Sequence, residues 1–163
     1  HDAAKAKDPT LRFGVSPQGN PDNDLNQQYS DVYAWLEASG EDAVVDYLCP
    51  QLYWGYGYRL SSGSDRFAYE NILPEWLAMP RGSAALYIGL GAWRIGDGDG
   101  GSDENSVARW STGRALADQV ADLRAQGAGG YALYRYGSLF GNGTWPELAG
   151  AECAALTEAN APE

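Results

Sequence analysis

VVDYLCPQLYW, residues 44–54, opens on two β-branched residues and closes on a Tyr-Trp pair just before a Gly/Tyr-rich loop. Three other stretches share the plan: LRFGVSP at 11–17, ALYIGLGAWRI at 85–95 and GYALYRYGSL at 130–139. Each is short, rich in apolar, β-branched or aromatic residues, ends in a polar or aromatic cluster, and is followed by a helix-like stretch. Strands that alternate with amphipathic helices are joined as parallel neighbours through crossovers, so the expected class is α/β, with four consecutive βα units. An eight-stranded barrel of this kind typically needs about 250 residues. The 163 residues here hold four units, half of such a barrel.

The composition is that of a packed globular domain, with 44% hydrophobic and 20% charged residues. A chain of this length buries roughly 70% of its unfolded surface, so residues 1–163 are expected to form a single domain. No apolar run approaches the roughly 18 residues that a membrane span needs, and the N-terminus has neither Met nor a signal-peptide core. The chain is therefore expected to start as a cloned segment, a processed product or a fragment. Residues 1–8 read as the tail of a preceding helix stopped by Asp8-Pro9, with the cut inside an earlier βα unit.

A formal charge of −11, with only eleven scattered basic residues, excludes phosphate-backbone recognition and hence nucleic acid. Neutral or cationic ligands are the easier partners. The two cysteines, Cys49 in a strand and Cys153 in the last helix, are too few and too far apart for a disulfide framework or a zinc site, and read as core thiols.

Helical periodicity places the crossovers. Tyr29, Val32, Tyr33 and Leu36 fall at i, i+3, i+4 and i+7 with Gly40 as the stop. The second helix lies around 67–79, where Pro74 fits the first turn of a short helix. In the third, Leu116, Val120 and Leu123 form one stripe, Arg114, Asp118, Asp122 and Arg124 keep to the polar faces, and Gly127 ends it. The last opens at TWPE, 144–147, with capping-box spacing, and Leu148, Ala151, Ala155 and Leu156 give it a modest apolar face.

In parallel α/β sheets and barrels the chemistry sits in loops beyond the strands' C-terminal ends. Those loops are 18–26, 55–64, 96–110 and 136–143. Gln51, Tyr53, Trp54, Tyr56 and Tyr58 crowd the second strand's exit, offering flat apolar faces with polar rims of the kind a pyranose ring stacks on and hydrogen-bonds to. The alternative is that Tyr53 and Trp54 plug the top of the core. Tyr134, Arg135 and Tyr136 repeat the theme at the fourth exit, where strand alternation lets either the two tyrosines or the arginine point inward. Arg94 ends the third strand and would pair with a carboxylate or a ligand oxygen, in a site or in a structural salt bridge.

Other motifs fail on spacing. GLGAWR at 89–94 puts Arg94 where a dinucleotide fingerprint needs its third glycine, and its glycines lie within the strand. DGDGGSDE at 97–104 has Gly101 and Ser102 where an EF-hand needs a ligand and its glycine, and reads as a solvated, flexible loop. GVSPQ at 14–18 misses the nucleophile elbow by one residue. The only histidine, His1, is terminal, which argues against a serine or cysteine triad and against histidine-based metal sites. No metal or cofactor is expected.

FGVSP at 13–17, DYLCPQLYW at 46–54, LYIGLGAWR at 86–94 and GYALYRYGSL at 130–139, in this order, resemble the successive blocks of the second half of the glycosyl-hydrolase-like family 10 barrels. The resemblance covers nearly the whole chain. It implies a (β/α)₈ TIM barrel acting on O-glycosidic bonds of a polysaccharide, with this chain supplying strands five to eight, in a bacterial protein of the envelope or secreted from the cell. The family's Asp-rich block at the end of strand four has no counterpart here, which implies a fragment that is inactive alone.

The residues themselves point the same way. Glycoside hydrolysis needs two carboxyls roughly 5 to 10 Å apart across the scissile bond. The strand exits carry Gln51, Tyr53, Arg94 and Tyr136 but no Asp or Glu. Asp46 sits at the entry end of its strand, and the nearest loop carboxylates are Asp22, Asp24, Asp97 and Asp99. The residues expected to bind an oligosaccharide or polysaccharide are thus Gln51, Tyr53, Trp54, Tyr56, Arg94, Tyr134 and Tyr136, with the acid and nucleophile assigned to the missing half. The alternative is a non-catalytic carbohydrate-binding or degenerate barrel domain. A half-barrel also exposes two open edges and an inner face expected to be rich in apolar side chains, so the partner expected is the other half or a second copy.

Overall fold

Every strand pairing in the computed structural model, which describes residues 1–141 and 143–161, is parallel. The strands are β1 (Gly14–Val15), β2 (Tyr47–Leu48), β3 (Gln51–Leu52), β4 (Ala85–Leu86), β5 (Ile88–Gly91) and β6 (Tyr131–Tyr134). They form two three-stranded sheets, in the orders β1-β2-β4 and β3-β5-β6. Only Cys49 and Pro50 separate β2 from β3, and only Tyr87 separates β4 from β5. Tyr87 N–H donates to the Leu48 carbonyl at 2.9 Å and Gly89 N–H to that of Pro50 at 2.8 Å, so the two sheets continue along the same chain runs. The described residues form no closed barrel.

Among the described residues eight α-helices complete the fold: α1 (Asp2–Lys7), α2 (Pro21–Gln27), α3 (Val32–Glu37), α4 (Tyr69–Leu77), α5 (Ser106–Trp110), α6 (Ala115–Ala125), α7 (Tyr136–Phe140) and α8 (Pro146–Ala159). Strand alternation divides the sheet faces. Leu48, Leu52, Leu86, Ile88 and Leu90 point to one side and are buried, with Val32, Leu36, Ile72, Leu73, Trp76, Leu116, Val120 and Leu123, in one core. The other face carries Tyr47, Cys49, Gln51, Tyr53, Tyr87, Gly89, Gly91, Ala132 and Tyr134. It is a mixture of tyrosines and very small residues, where an apolar surface was expected. At its lower end the Arg12 guanidinium lies 5.5 Å from the Tyr47 ring and 5.6 Å from the Tyr87 ring and donates to the Tyr87 hydroxyl.

The helices depart from the periodicity in instructive ways. Tyr29 does not belong to α3. The Asp31 carboxylate accepts the Ala34 amide at 3.0 Å and starts the helix there, leaving Tyr29 91% exposed at φ 54°. A helix also fills part of the loop expected at 18–26, because Asn20 caps it and Pro21 takes its first position. Pro74 lies inside α4 rather than in its first turn. The capping box at 144–147 does not form: Trp145 is the N-cap residue, without a side-chain cap, and Pro146 sets the first helical φ. α1 stops at its C-cap Asp8, and α6 is as expected, with Gly127 ending it at φ 79°.

Asp46 is structural. Its carboxylate accepts the Phe13 amide at 2.7 Å and pairs with Lys5 at 2.8 Å, tying α1 to the start of the sheet. Among the described residues no helix is long and apolar enough to cross a membrane, and no group of three or more His, Cys, Asp or Glu would hold a metal ion.

Glu152 of α8 is fully buried against the N-terminus of α6, where its carboxylate accepts the Leu116 amide at 3.2 Å. Burial raises its pKa, and the amides of Ala115, Leu116 and Ala117 offset only part of that rise. A raised folded pKa means that the native state holds the proton more tightly than the unfolded chain does. Stability is therefore expected to be fullest below about 4.5 and to fall as pH rises through the folded value. Glu152→Gln, which keeps the acceptor, should remove that fall; urea titrations from pH 4 upward check it, and an unchanged slope would refute the assignment.

Candidate functional site

A cleft of about 500 Å³ opens at the C-terminal ends of β5 and β6. The turn after β5 (92–97) forms one wall, and α7 with the segment entering α8 forms the other. Two indoles line it, Trp93 and Trp145, 39% and 43% exposed. Each is braced from behind. The Arg94 guanidinium lies 3.7 Å from the centroid of the Trp93 ring and donates through Nε to the Tyr53 carbonyl at 3.2 Å. The Trp145 ring rests on Gly96, where an added Cβ would come within 2.4 Å of the indole and where φ is +77°, so only glycine fits. Trp145 Nε1 donates to Asp97 Oδ1 at 2.9 Å, which turns that carboxylate toward the cleft. Arg135 completes the lining.

A band of aromatic rings leads from this cleft down the tyrosine-bearing face of the sheet. Tyr53 meets Trp93 edge-on at 6.4 Å and stacks on Tyr134 at 5.9 Å with 18° between planes. Burial pushes the Tyr53 phenol up to about 12, so it stays neutral and keeps a proton to donate. Gln51 lies on the same face, its Nε2 donating to the Ser16 carbonyl. Gln51, Tyr53, Arg94 and Tyr134 are thus brought together, although Arg94 serves chiefly as a brace under Trp93.

The other expected residues lie elsewhere. Trp54 follows Tyr53 directly and faces the opposite side, where it stacks on Phe67 at 5.1 Å and closes over Gly19. Tyr56 packs edge-on against Tyr69 at 5.2 Å, with its hydroxyl 3.3 Å from Asp122 Oδ2. Burial, with Asp122 second, raises its pKa. Tyr136 is in α7 beside Phe140 and three-quarters exposed, because β6 ends at Tyr134 and strand alternation does not extend to it.

Of the four loop carboxylates, Asp97 alone opens to the cleft. Asp22 is engaged by Arg66 at 2.7 Å. Asp24 is buried and accepts the Gln18 amide. Asp99, expected in a solvated flexible loop, is 5% exposed and accepts from Gly55 N, Trp110 Nε1, Ser106 Oγ and Gly101 N. Its network fixes the 96–104 segment, and Trp110 in turn accepts the Gly96 amide beneath Trp145.

No family model matches the chain, and no solved structure matches it. Among curated proteins it is similar to glycosyl hydrolase YngK of Bacillus subtilis (strain 168), 30% identical over 104 residues that cover 56% of this chain and 19% of that protein. It is also similar to glycosyl hydrolase DigH of Escherichia coli (strain K12), 28% identical over 109 residues, 57% of this chain and 22% of that protein. The relationship is glycosyl-hydrolase-like. The matched segment spans about a fifth of the length of either relative.

Proposed function

We propose that this chain is the second half, strands five to eight, of a glycosidase-related (β/α)₈ barrel of the glycosyl-hydrolase-like family 10 type, and that it holds an oligosaccharide or polysaccharide in the Trp93–Trp145 cleft. Secretion or placement in the cell envelope belongs to the same reading. The observation that carries it is the pair of back-braced indoles flanking a carboxylate held by an indole N–H. Sugar rings present apolar C–H faces and equatorial hydroxyls, which match an open aromatic face beside a fixed acceptor. Tyr53, Tyr134 and Gln51 extend the surface below, and Tyr136 lies on its rim. Trp54 and Tyr56 support this surface from the core side. Asp97 is the one acidic side chain among the described residues of the cleft, whereas hydrolysis needs two carboxyls. The catalytic partner is therefore assigned to the other half of the barrel, and this chain binds without turning over.

Calorimetry with neutral plant and cell-wall oligosaccharides tests the reading. Burial of an aromatic face is worth about 1.5–3 kcal/mol, so Trp145→Ala is expected to weaken binding roughly ten- to a hundredfold. Failure to bind any glycan, or equal affinity in the variant, would overturn it. A single carboxylate in the cleft also favours a second reading, a carbohydrate-binding domain without catalysis; glycan binding that never becomes turnover when the upstream half is restored would select it.

A further inference from the structure

We infer that the pocket walled by the run after β3, α5 and α6 binds a small organic ammonium ion. It shares no lining residue with the Trp93–Trp145 cleft and depends on nothing that binds there. Gly55 and Tyr56 follow β3, Trp110 ends α5, and Ala115, Asp118 and Gln119 belong to α6. The pocket measures about 140 Å³, close to the roughly 150 Å³ in which an apolar cavity takes up a molecule the size of benzene.

Gln119, on its floor, is 1% exposed and only half satisfied. Its Nε2 donates to the Trp54 carbonyl at 2.9 Å, which fixes the amide's orientation, because the flipped amide would set oxygen against oxygen. Its Oε1 has no partner among the described residues. A buried acceptor left unmet is costly, so this one calls for a donor from outside the chain. Asp118 supplies a second acceptor at the mouth. Its carboxylate meets Arg114 at 3.6 Å, with both side chains more than half exposed.

The positive groups nearby are already engaged. Arg109, which also lines the pocket, pairs with Asp103 and donates to the Tyr56 carbonyl at 2.7 Å. At the N-terminus of α6 the Leu116 amide is taken by Glu152. The negative charge is not matched in the same way. Asp99, buried and in no ion pair among the described residues, accepts from both the Gly55 amide and the Trp110 indole, so two walls of the pocket rest on a carboxylate. Asp122 lies 3.3 Å from the Tyr56 hydroxyl. What remains uncommitted is acceptor, and the surrounding charge selects a cation. Trp110 and Tyr56 add aromatic rings, the preferred neighbours of an organic cation, and Ala115 an apolar wall for its carbon chain.

Titration of the purified chain with n-propylammonium chloride, n-propanol and sodium propionate decides the matter, since these probes match in size and differ in charge. Binding is read from the backbone amide shifts of residues 109–119 at low ionic strength, where attraction to Asp118 is least screened. The expected result is millimolar binding of propylammonium, with the alcohol and the carboxylate roughly tenfold weaker or more. Gln119→Met removes the unmet acceptor at nearly constant volume and should weaken propylammonium binding roughly tenfold or more. Asp118→Asn changes an exposed side chain, leaves the fold in place and should weaken binding several-fold, so it decides the question if Gln119→Met does not fold. No shift with any probe overturns the inference and leaves water as the pocket's occupant. Equal affinity for all the probes, a preference for propionate, or propylammonium binding untouched by Asp118→Asn overturns it as well. Glycan affinity is measured separately, so failure here leaves the cleft assignment intact.

Discussion

Asp99→Ala is expected to cost about 4 kcal/mol of folding stability, a large share of the roughly 5–15 kcal/mol that a domain of this kind possesses. The carboxylate accepts four hydrogen bonds, and three of the donors, the Gly55 amide, the Trp110 indole and the Ser106 hydroxyl, are themselves buried. Each would be left without a partner, at about 1–3 kcal/mol apiece. Asn at this position is expected to cost less, since it retains one acceptor oxygen but turns donors against donors with the other arm. The pH dependence follows from the same contacts. Burial pushes the Asp99 carboxyl up, yet the bonds from Ser106, Gly55, Trp110 and Gly101 together outweigh it and hold the group below the usual carboxylate range. A depressed folded pKa contributes stability that is complete above the unfolded value near 4 and disappears as pH falls through the folded one. Urea unfolding between pH 2.5 and 7 should therefore show a steep acid limb in the parent that is shallower in the variant. A loss below about 1 kcal/mol at pH 7 would mean that water replaces the carboxylate and that the network is not what holds this loop. Because Trp110 accepts the Gly96 amide and Gly96 seats Trp145, the variant should also loosen the glycan cleft.

Nothing in the local sequence announced that network. DGDGGSDE has the composition of a solvated turn, and although Gly101 and Ser106 lie close by, the Asp99 carboxylate is buried by partners outside the stretch, the Gly55 amide from the preceding unit and the Trp110 indole from α5. The parallel strands were legible for the opposite reason. Alternation along 44–54 and 85–95 is a local property, and the buried set Leu48, Leu52, Leu86, Ile88 and Leu90 is the one that a period of two selects. The stripe of α6 was legible in the same way. Periodicity failed at 29–36 because a short-range competitor, the Asp31 cap, restarts the helix and discards Tyr29.

The tyrosine-bearing face below the cleft was visible in the sequence, and the cleft was not. Tyr53, Tyr134 and Gln51 could be assigned to strand exits from their positions alone, but Trp93, Trp145 and Arg135 meet only when the turn after β5 and the entry to α8 are brought side by side. One signal did lie in the residues. Tyr53 and Trp54 are consecutive in an extended run, so one of them had to face the core, and the structure places Trp54 there, stacked on Phe67.

Trp76→Ala is the other large effect expected, about 4–5 kcal/mol. Trp76 is among the largest fully buried side chains of the core, and truncating a buried Trp costs about 3–5 kcal/mol through lost transfer energy and the cavity left behind. Its indole N–H also donates to the Gly19 carbonyl at 2.9 Å, and orphaning that carbonyl adds about 1 kcal/mol. Trp76→Phe separates the two contributions, since it keeps most of the apolar volume and loses only the hydrogen bond, with an expected cost of about 1–2 kcal/mol. The bond matters beyond stability because Gly19 sits where an added Cβ would approach within 2.5 Å of both the Trp54 ring and the Gln51 carbonyl. Trp76 thus pins the chain leaving β1 against the run that carries Gln51 and Tyr53 toward the cleft. If chemical denaturation shows Trp76→Ala costing less than about 2 kcal/mol, the core has collapsed into the space and Gly19 is held by its Trp54 packing alone. If the cost is as large as expected while Trp76→Phe still weakens glycan binding, the Gly19 bond reaches the cleft through Gln51 rather than through the bulk of the core.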